Sequence, residues 1–115
     1  MKPERINITE KQITDFCRKN HILKLAFFGS VLRNDFRPDS DVDILIYLDR
    51  SVLTGLMEMA RMERQLSEMI GRKVDLRTPN ELSDYFRDEV IAEAEVIYER
   101  LPKLIEKLEM LPELK

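Results

Sequence analysis

The spacing of hydrophobic positions changes along the chain, and each change marks an element. Ile13, Phe16 and Cys17 recur at helical spacing behind Thr9, which predicts a helix over 11–19 capped by Thr9. Ile22 to Phe28 is an apolar run with one lysine and predicts a buried strand ending at Gly29. A short helical turn over Ser30–Arg33 and a polar loop containing Pro38 follow. Val42 to Leu48 predicts a second strand. Asp49-Arg50-Ser51 predicts a turn, with Ser51 capping a helix that runs to Ile70 and is ended by Gly71. Lys73 to Arg77 predicts a short third strand. After the break at Thr78-Pro79-Asn80, the spacing of Leu82, Phe86, Val90, Ala94 and Ile97 predicts a helix over 82–100 with one core stripe.

The helix from Ser51 carries apolar residues on two sides. Leu53, Leu56, Met57 and Ala60 lie on one, and Met59, Met62, Leu66 and Met69 largely on the other. This fits either a buried face that drifts across a sheet or a second face kept for a partner, a use to which methionine is suited. Beyond Arg100, Pro102 opens a separate unit. There Leu104, Ile105, Leu108 and Leu111 make a short amphipathic helix over 101–115, expected to dock or oligomerise outside a core domain over 1–100. The fold class expected is α/β (α+β), a small mixed sheet of about three strands packed with helices.

A length of 115 residues predicts one domain with a modest core. With 36% charged and 43% hydrophobic residues the chain reads as a soluble globular protein. No apolar stretch is long enough to span a membrane, and Met1 to Glu10 does not resemble a signal peptide, so a cytoplasmic location is expected. The net charge of −3 argues against a domain that grips a nucleic-acid backbone. The single cysteine, Cys17, excludes an internal disulfide and reads as a core residue. His21 is the only histidine and reads as a helix-end or loop residue near the helix dipole.

The chemistry concentrates between the first and third strands. In a strand, side chains at i and i+2 share a face, so Asp41 and Asp43 converge while Val42, Ile44 and Ile46 turn to the helices. Two carboxylates this close repel, which is tolerable when they ligate cations. Two Mg²⁺ ions roughly 3.5–4 Å apart can clamp the entering and leaving oxygens of a nucleotidyl transfer. Asp75, the acid inside the third strand, is the candidate third ligand or proton acceptor; alternatively it is an edge residue paired with Arg77 or Lys73. Gly29 lets the backbone approach a phosphate and Ser30 offers a hydroxyl. Arg33 either pairs with triphosphate oxygens or steadies the acids, and Ser40 caps or orders the loop before them. Asp35 and Asp39 read as solvated loop acids.

Together, Gly29-Ser30, Arg33-Asn34, Ser40-Asp41-Val42-Asp43-Ile44 and the later Asp75 resemble the minimal nucleotidyltransferases (MNT proteins) of the DNA polymerase beta superfamily. The family pattern is Gly-Ser, a nearby Arg-Gly, Ser-Asp-x-Asp-Leu and a later aspartate on another strand. The segment from Glu89 to Glu99 resembles the family's usual last helix. Asn34 replaces the usual glycine and Leu32 the common alanine. Asn tolerates left-handed backbone angles, so the turn is expected to survive.

The resemblance implies a nucleotidyltransferase fold, ATP as substrate and Mg²⁺ on Asp41, Asp43 and Asp75. Gly29, Ser30, Arg33 and Ser40 would hold the nucleotide. It further implies an antitoxin that transfers AMP to a tyrosine of a HEPN-domain ribonuclease toxin. The rival readings are an antitoxin that only masks its partner and an adenylyltransferase of small molecules. A template-directed polymerase would need a template-holding domain for which the chain has no room. Self-association is a further possibility left open by the sequence.

Overall fold

Thr9 opens the first helix as the spacing predicts. Its hydroxyl accepts from Gln12 N at 3.1 Å, and Gln12 Oε1 accepts from Thr9 N at 2.9 Å, so two otherwise unpaired amides are satisfied reciprocally. In the computed structural model, which describes residues 6–33 and 36–100, this is α1, Glu10–Lys19. It buries Ile13, Phe16 and Cys17, and burial pushes the Cys17 thiol up to about 12. Asn20 ends α1, and His21 takes the left-handed conformation (φ 58°) that turns the chain into β1, Ile22–Phe28.

A 3-10 turn over Gly29–Leu32 and a loop lead to β2, Val42–Leu48. The following helix, α2, spans Leu56–Ile70 and ends at Gly71 with φ 77°. It starts later than Ser51 predicts. Ser51 instead bonds Asp49, its N–H and hydroxyl both donating to Asp49 Oδ1, while Glu58 Oε2 accepts Gly55 N at the true helix start. Next come β3, Val74–Arg77, a 3-10 turn over Pro79–Glu81, α3, Arg87–Glu93, and β4, Glu95–Glu99.

The helix expected over 82–100 is therefore a correction: its first part is turn, α3 is short, and its last part is a strand. Antiparallel β1 and β2 leave the other edge of β1 open, and Glu95 to Glu99 fills it antiparallel, with Lys24 opposite Glu99 and Phe27 opposite Glu95. The β-branched and aromatic residues Val96, Ile97 and Tyr98 suit a strand, and the sheet edge outweighs their helical spacing. The sheet has four strands in the order β3-β2-β1-β4, with β2 and β3 parallel. Most of the predicted stripe is not core: Phe86 is 60% exposed and Val90 only half-buried, while Ile97, now in β4, packs against the core. The amphipathic stretch 101–115 lies outside the described residues, and so does Asp35.

One hydrophobic cluster joins α1, α2 and the sheet. It contains Val42, Ile44 and Ile46 of β2, Leu25 and Phe27 of β1, and Met62, Leu66 and Ile70 of α2, together with Ile6 and Ile8 ahead of α1. The buried side of α2 is thus the Met62–Leu66 side. Leu56 and Met57 stay 87% and 83% exposed, and Leu53 before the helix is exposed too.

The helix α2 also controls the free edge of β3. Ser67 Oγ accepts Val74 N at 3.0 Å and Glu63 Oε2 accepts Leu76 N at 2.9 Å. Residues four apart on a helix advance about 6 Å and residues two apart on a strand about 6.6 Å, so the two acceptors match the two outward amides. An edge that would otherwise offer bare N–H groups to another chain is covered. Ser67→Ala is expected to lower stability by about 1 kcal/mol and Glu63→Ala by a similar amount, because each leaves one partly buried amide unpaired. Urea unfolding checks this, with Leu53→Ala as a control expected to change stability by less than about 0.5 kcal/mol.

Candidate active site

Strand pairing brings the predicted acids together. In the parallel register Asp43 stands directly beside Asp75, with Val42 opposite Val74 and Leu45 opposite Arg77. Val42 N donates to Lys73 O at 2.8 Å and continues this pairing to the start of β2, where Asp41 precedes it. On its other side Asp43 is opposite Phe28, the residue before Gly29. Asp41, Asp43 and Asp75 therefore share one face, opposite the buried Val42 and Ile44.

Asp43 is the centre of this group. Burial, the neighbouring Asp75 and Asp41 push its carboxyl from the usual 3.8 up to about 6, against the opposing pull of Arg77 and Arg33. Gly29 makes room for it. A Cβ there would overlap Asp43 Oδ2, and the backbone has φ +75°, a region that residues with a side chain rarely adopt. Ser30 lies in the 3-10 turn that follows, and its carbonyl accepts Arg33 N at 2.9 Å. Arg33 ends that turn, close enough to lower the pKa of Asp43.

The loop before β2 is braced from within. Ser40 Oγ accepts Arg37 N at 3.0 Å, so Ser40 orders the approach to Asp41. Arg72 donates to Arg37 O at 3.1 Å and stacks on Phe36 at 4.3 Å. Sequence reasoning did not identify this brace, since Arg72 is 35 residues from Arg37 along the chain. Asp39 is exposed, as expected.

Two basic residues interleave with the acids. Arg77 donates to Asp75 through Nε at 3.1 Å and Nη2 at 3.4 Å, and Lys73 Nζ lies 3.9 Å from Asp41 Oδ2. The edge pairing foreseen as the alternative for Asp75 is thus present, on the same face as Asp43. Among the described residues no three His, Cys, Asp or Glu side chains are gathered into a metal-binding group. The donor chemistry nevertheless fits a hard divalent cation: carboxylates of like charge share one face, and burial first, then their mutual repulsion, raises the pKa of Asp43. Asp41 and Asp43 would hold such an ion, with Asp75 available when Arg77 releases it. A hollow of about 530 Å³ at the far end of β1, lined by Cys17, His21, Tyr98 and Arg100 among others, has Glu99 as its one acid and lacks this convergence.

Gly29→Ala and Gly71→Ala separate backbone strain from steric overlap. Both glycines have positive φ, but a Cβ at Gly71 meets nothing within 4 Å. Gly71→Ala should cost about 1–2 kcal/mol, and Gly29→Ala clearly more, with urea unfolding as the measurement. Because the folded-state pKa of Asp43 is raised, the folded form holds its proton more tightly than the unfolded form. This contribution favours folding at low pH and is lost as pH rises from 3.8 through about 6. Without divalent metal, Asp43→Asn should melt higher than wild type at pH 7, and the difference should shrink as pH falls through that window.

Comparison with known proteins gives these residues a family. A candidate protein adenylyltransferase of Methanocaldococcus jannaschii is 29% identical over 89 residues, covering 77% of this chain and 94% of the relative. The protein adenylyltransferase MntA of Thermococcus cleftensis is 31% identical over 77 residues, covering 67% and 74%. The fold also resembles a solved complex of tri-AMPylated Shewanella oneidensis HEPN toxin with MNT antitoxin. The TM-score is 0.58, at 18% identity, with 86% of this chain and 75% of the other covered. Residues 11–103 match the polymerase beta nucleotidyltransferase family, and the chain belongs to it.

Proposed function

We infer that the chain is a divalent-metal-dependent protein adenylyltransferase that moves AMP from ATP to a tyrosine of a HEPN-domain toxin and so acts as its antitoxin. The observation that carries the reading is the shared face of Asp41, Asp43 and Asp75 beside the Gly29-Ser30 turn. The names of the two relatives support the class of reaction, and that of the structural neighbour supports the kind of acceptor.

A divalent cation, when bound, supplies positive charge to the triphosphate oxygens and to the leaving pyrophosphate. Asp41 and Asp43 would hold it. Gly29 allows a phosphate to approach the backbone, Ser30 offers its hydroxyl, and Arg33 offers positive charge beside Asp43. The acceptor oxygen attacks the α-phosphorus, a P–O bond forms, and the bond to the β-phosphate oxygen breaks to release pyrophosphate. Asp75 would take the hydroxyl proton. The exposed Leu53, Leu56 and Met57 give a protein acceptor an apolar surface to meet. No helix among the described residues is long and apolar enough to cross a membrane.

Incubation with α-labelled ATP, Mg²⁺ and a HEPN-domain toxin from the same organism tests the reading. Label should appear on the partner and should vanish with EDTA and with Asp41→Asn or Asp43→Asn, while both variants still bind the partner. Tight binding without label would select a masking antitoxin instead. Label on a small molecule alone would select a small-molecule adenylyltransferase.

A further inference from the structure

From Lys73, just before β3, through Asp75 to Arg77, the residues sharing one face alternate in charge. They lie along Asp43 of β2 and Asp41 just before it, so each of these acids has both an acid and a base nearby. Arg77 makes the stronger of the two cationic contacts, since it reaches both oxygens of Asp75 through a planar fork. Lys73 is largely exposed and its contact is long. Arg77 sits opposite Leu45, two strand positions beyond the Asp43–Asp75 pair and on the same face, where it reaches Asp75.

We propose that Arg77 is a resident counter-ion that holds Asp75 in the empty site and competes with the divalent cation for it. This rests on the reading of the three acids as a cation site. While the site is empty, the guanidinium offsets part of the repulsion among the acids. Loading then requires Asp75 to exchange Arg77 for the incoming ion, so Arg77 sets the cation concentration at which the site fills. Arg77 is a positioning residue in this account, acting through Asp75.

Arg77→Gln keeps a polar side chain and removes the charge. Mn²⁺ binding, followed by the loss of its free-ion paramagnetic resonance signal, should be about two- to fivefold tighter in the variant at low salt, the range that partly exposed ion pairs support. A second readout separates competition from plain structural support. In EDTA the variant should melt below wild type, and saturating Mn²⁺ should raise its Tm by more than it raises the wild-type Tm. Equal or weaker Mn²⁺ binding, or a Tm lowered equally with and without Mn²⁺, would overturn the proposal. Wild-type protein that binds no Mn²⁺ would instead overturn the cation site itself. Should Arg77→Gln not fold, Arg77→Lys keeps the charge without the fork. It should also bind Mn²⁺ more tightly than wild type, and affinity at or below wild type would count against the proposal.

Discussion

The parallel register of β2 and β3 places Asp43 beside Asp75, and the rest of the site follows from that adjacency. Such a pairing is unfavourable in isolation because like charges oppose each other directly across a strand pair. The fold accommodates it by several means. The amides of Val74 and Leu76 are held by Ser67 and Glu63 of α2, so β3 is fixed from its free side. Val42 and Ile44 are sealed into the core beneath the acids. Arg77 and Lys73 bring positive charge to the same face. Slipping the register by one residue would turn Asp75 towards the core and Leu76 towards solvent, which the hydrophobic pattern strongly disfavours.

Gly29 fixes the other side of the site. Its lack of a side chain lets the carboxylate of Asp43 lie against the turn, and its positive φ bends the chain out of β1 towards Ser30 and Arg33. The turn, the acids and Arg33 thus form one local unit, although they are drawn from the end of β1, from β2 and from β3. The face concentrates negative charge, and burial together with the neighbouring Asp75 and Asp41 raises the pKa of Asp43 there.

Much of this was legible in the sequence because its determinants are local. Alternation along Val42–Leu48 put Asp41 and Asp43 on one face, and the Gly-Ser turn announced itself after a clear apolar run. The Thr9 cap and Gly71 stop were readable for the same reason. The errors arose where distant partners decide. Glu95 to Glu99 has helical spacing yet becomes a strand, because the open edge of β1 offers it a ladder. Ser51 looks like a cap, but Asp49 takes its hydrogen bonds and Gly55 starts the helix. Two sides of α2 were apolar in the sequence, and only packing shows that Met62 and Leu66 are buried while Leu56 and Met57 are not. The clamp on β3 left a faint signal, polar Glu63 and Ser67 four residues apart beside the buried Met62 and Leu66.

In the proposed function, Asp41, Asp43 and Asp75 form one cation-dependent site next to the Gly29-Ser30 turn. A crystal grown with Mn²⁺ and a non-hydrolysable ATP analogue tests it most directly, through the anomalous scattering of the metal. An anomalous peak is expected beside Asp41 and Asp43, with the phosphates against Gly29 and Ser30. A metal and nucleotide bound together at another surface, with these acids unengaged, would contradict it.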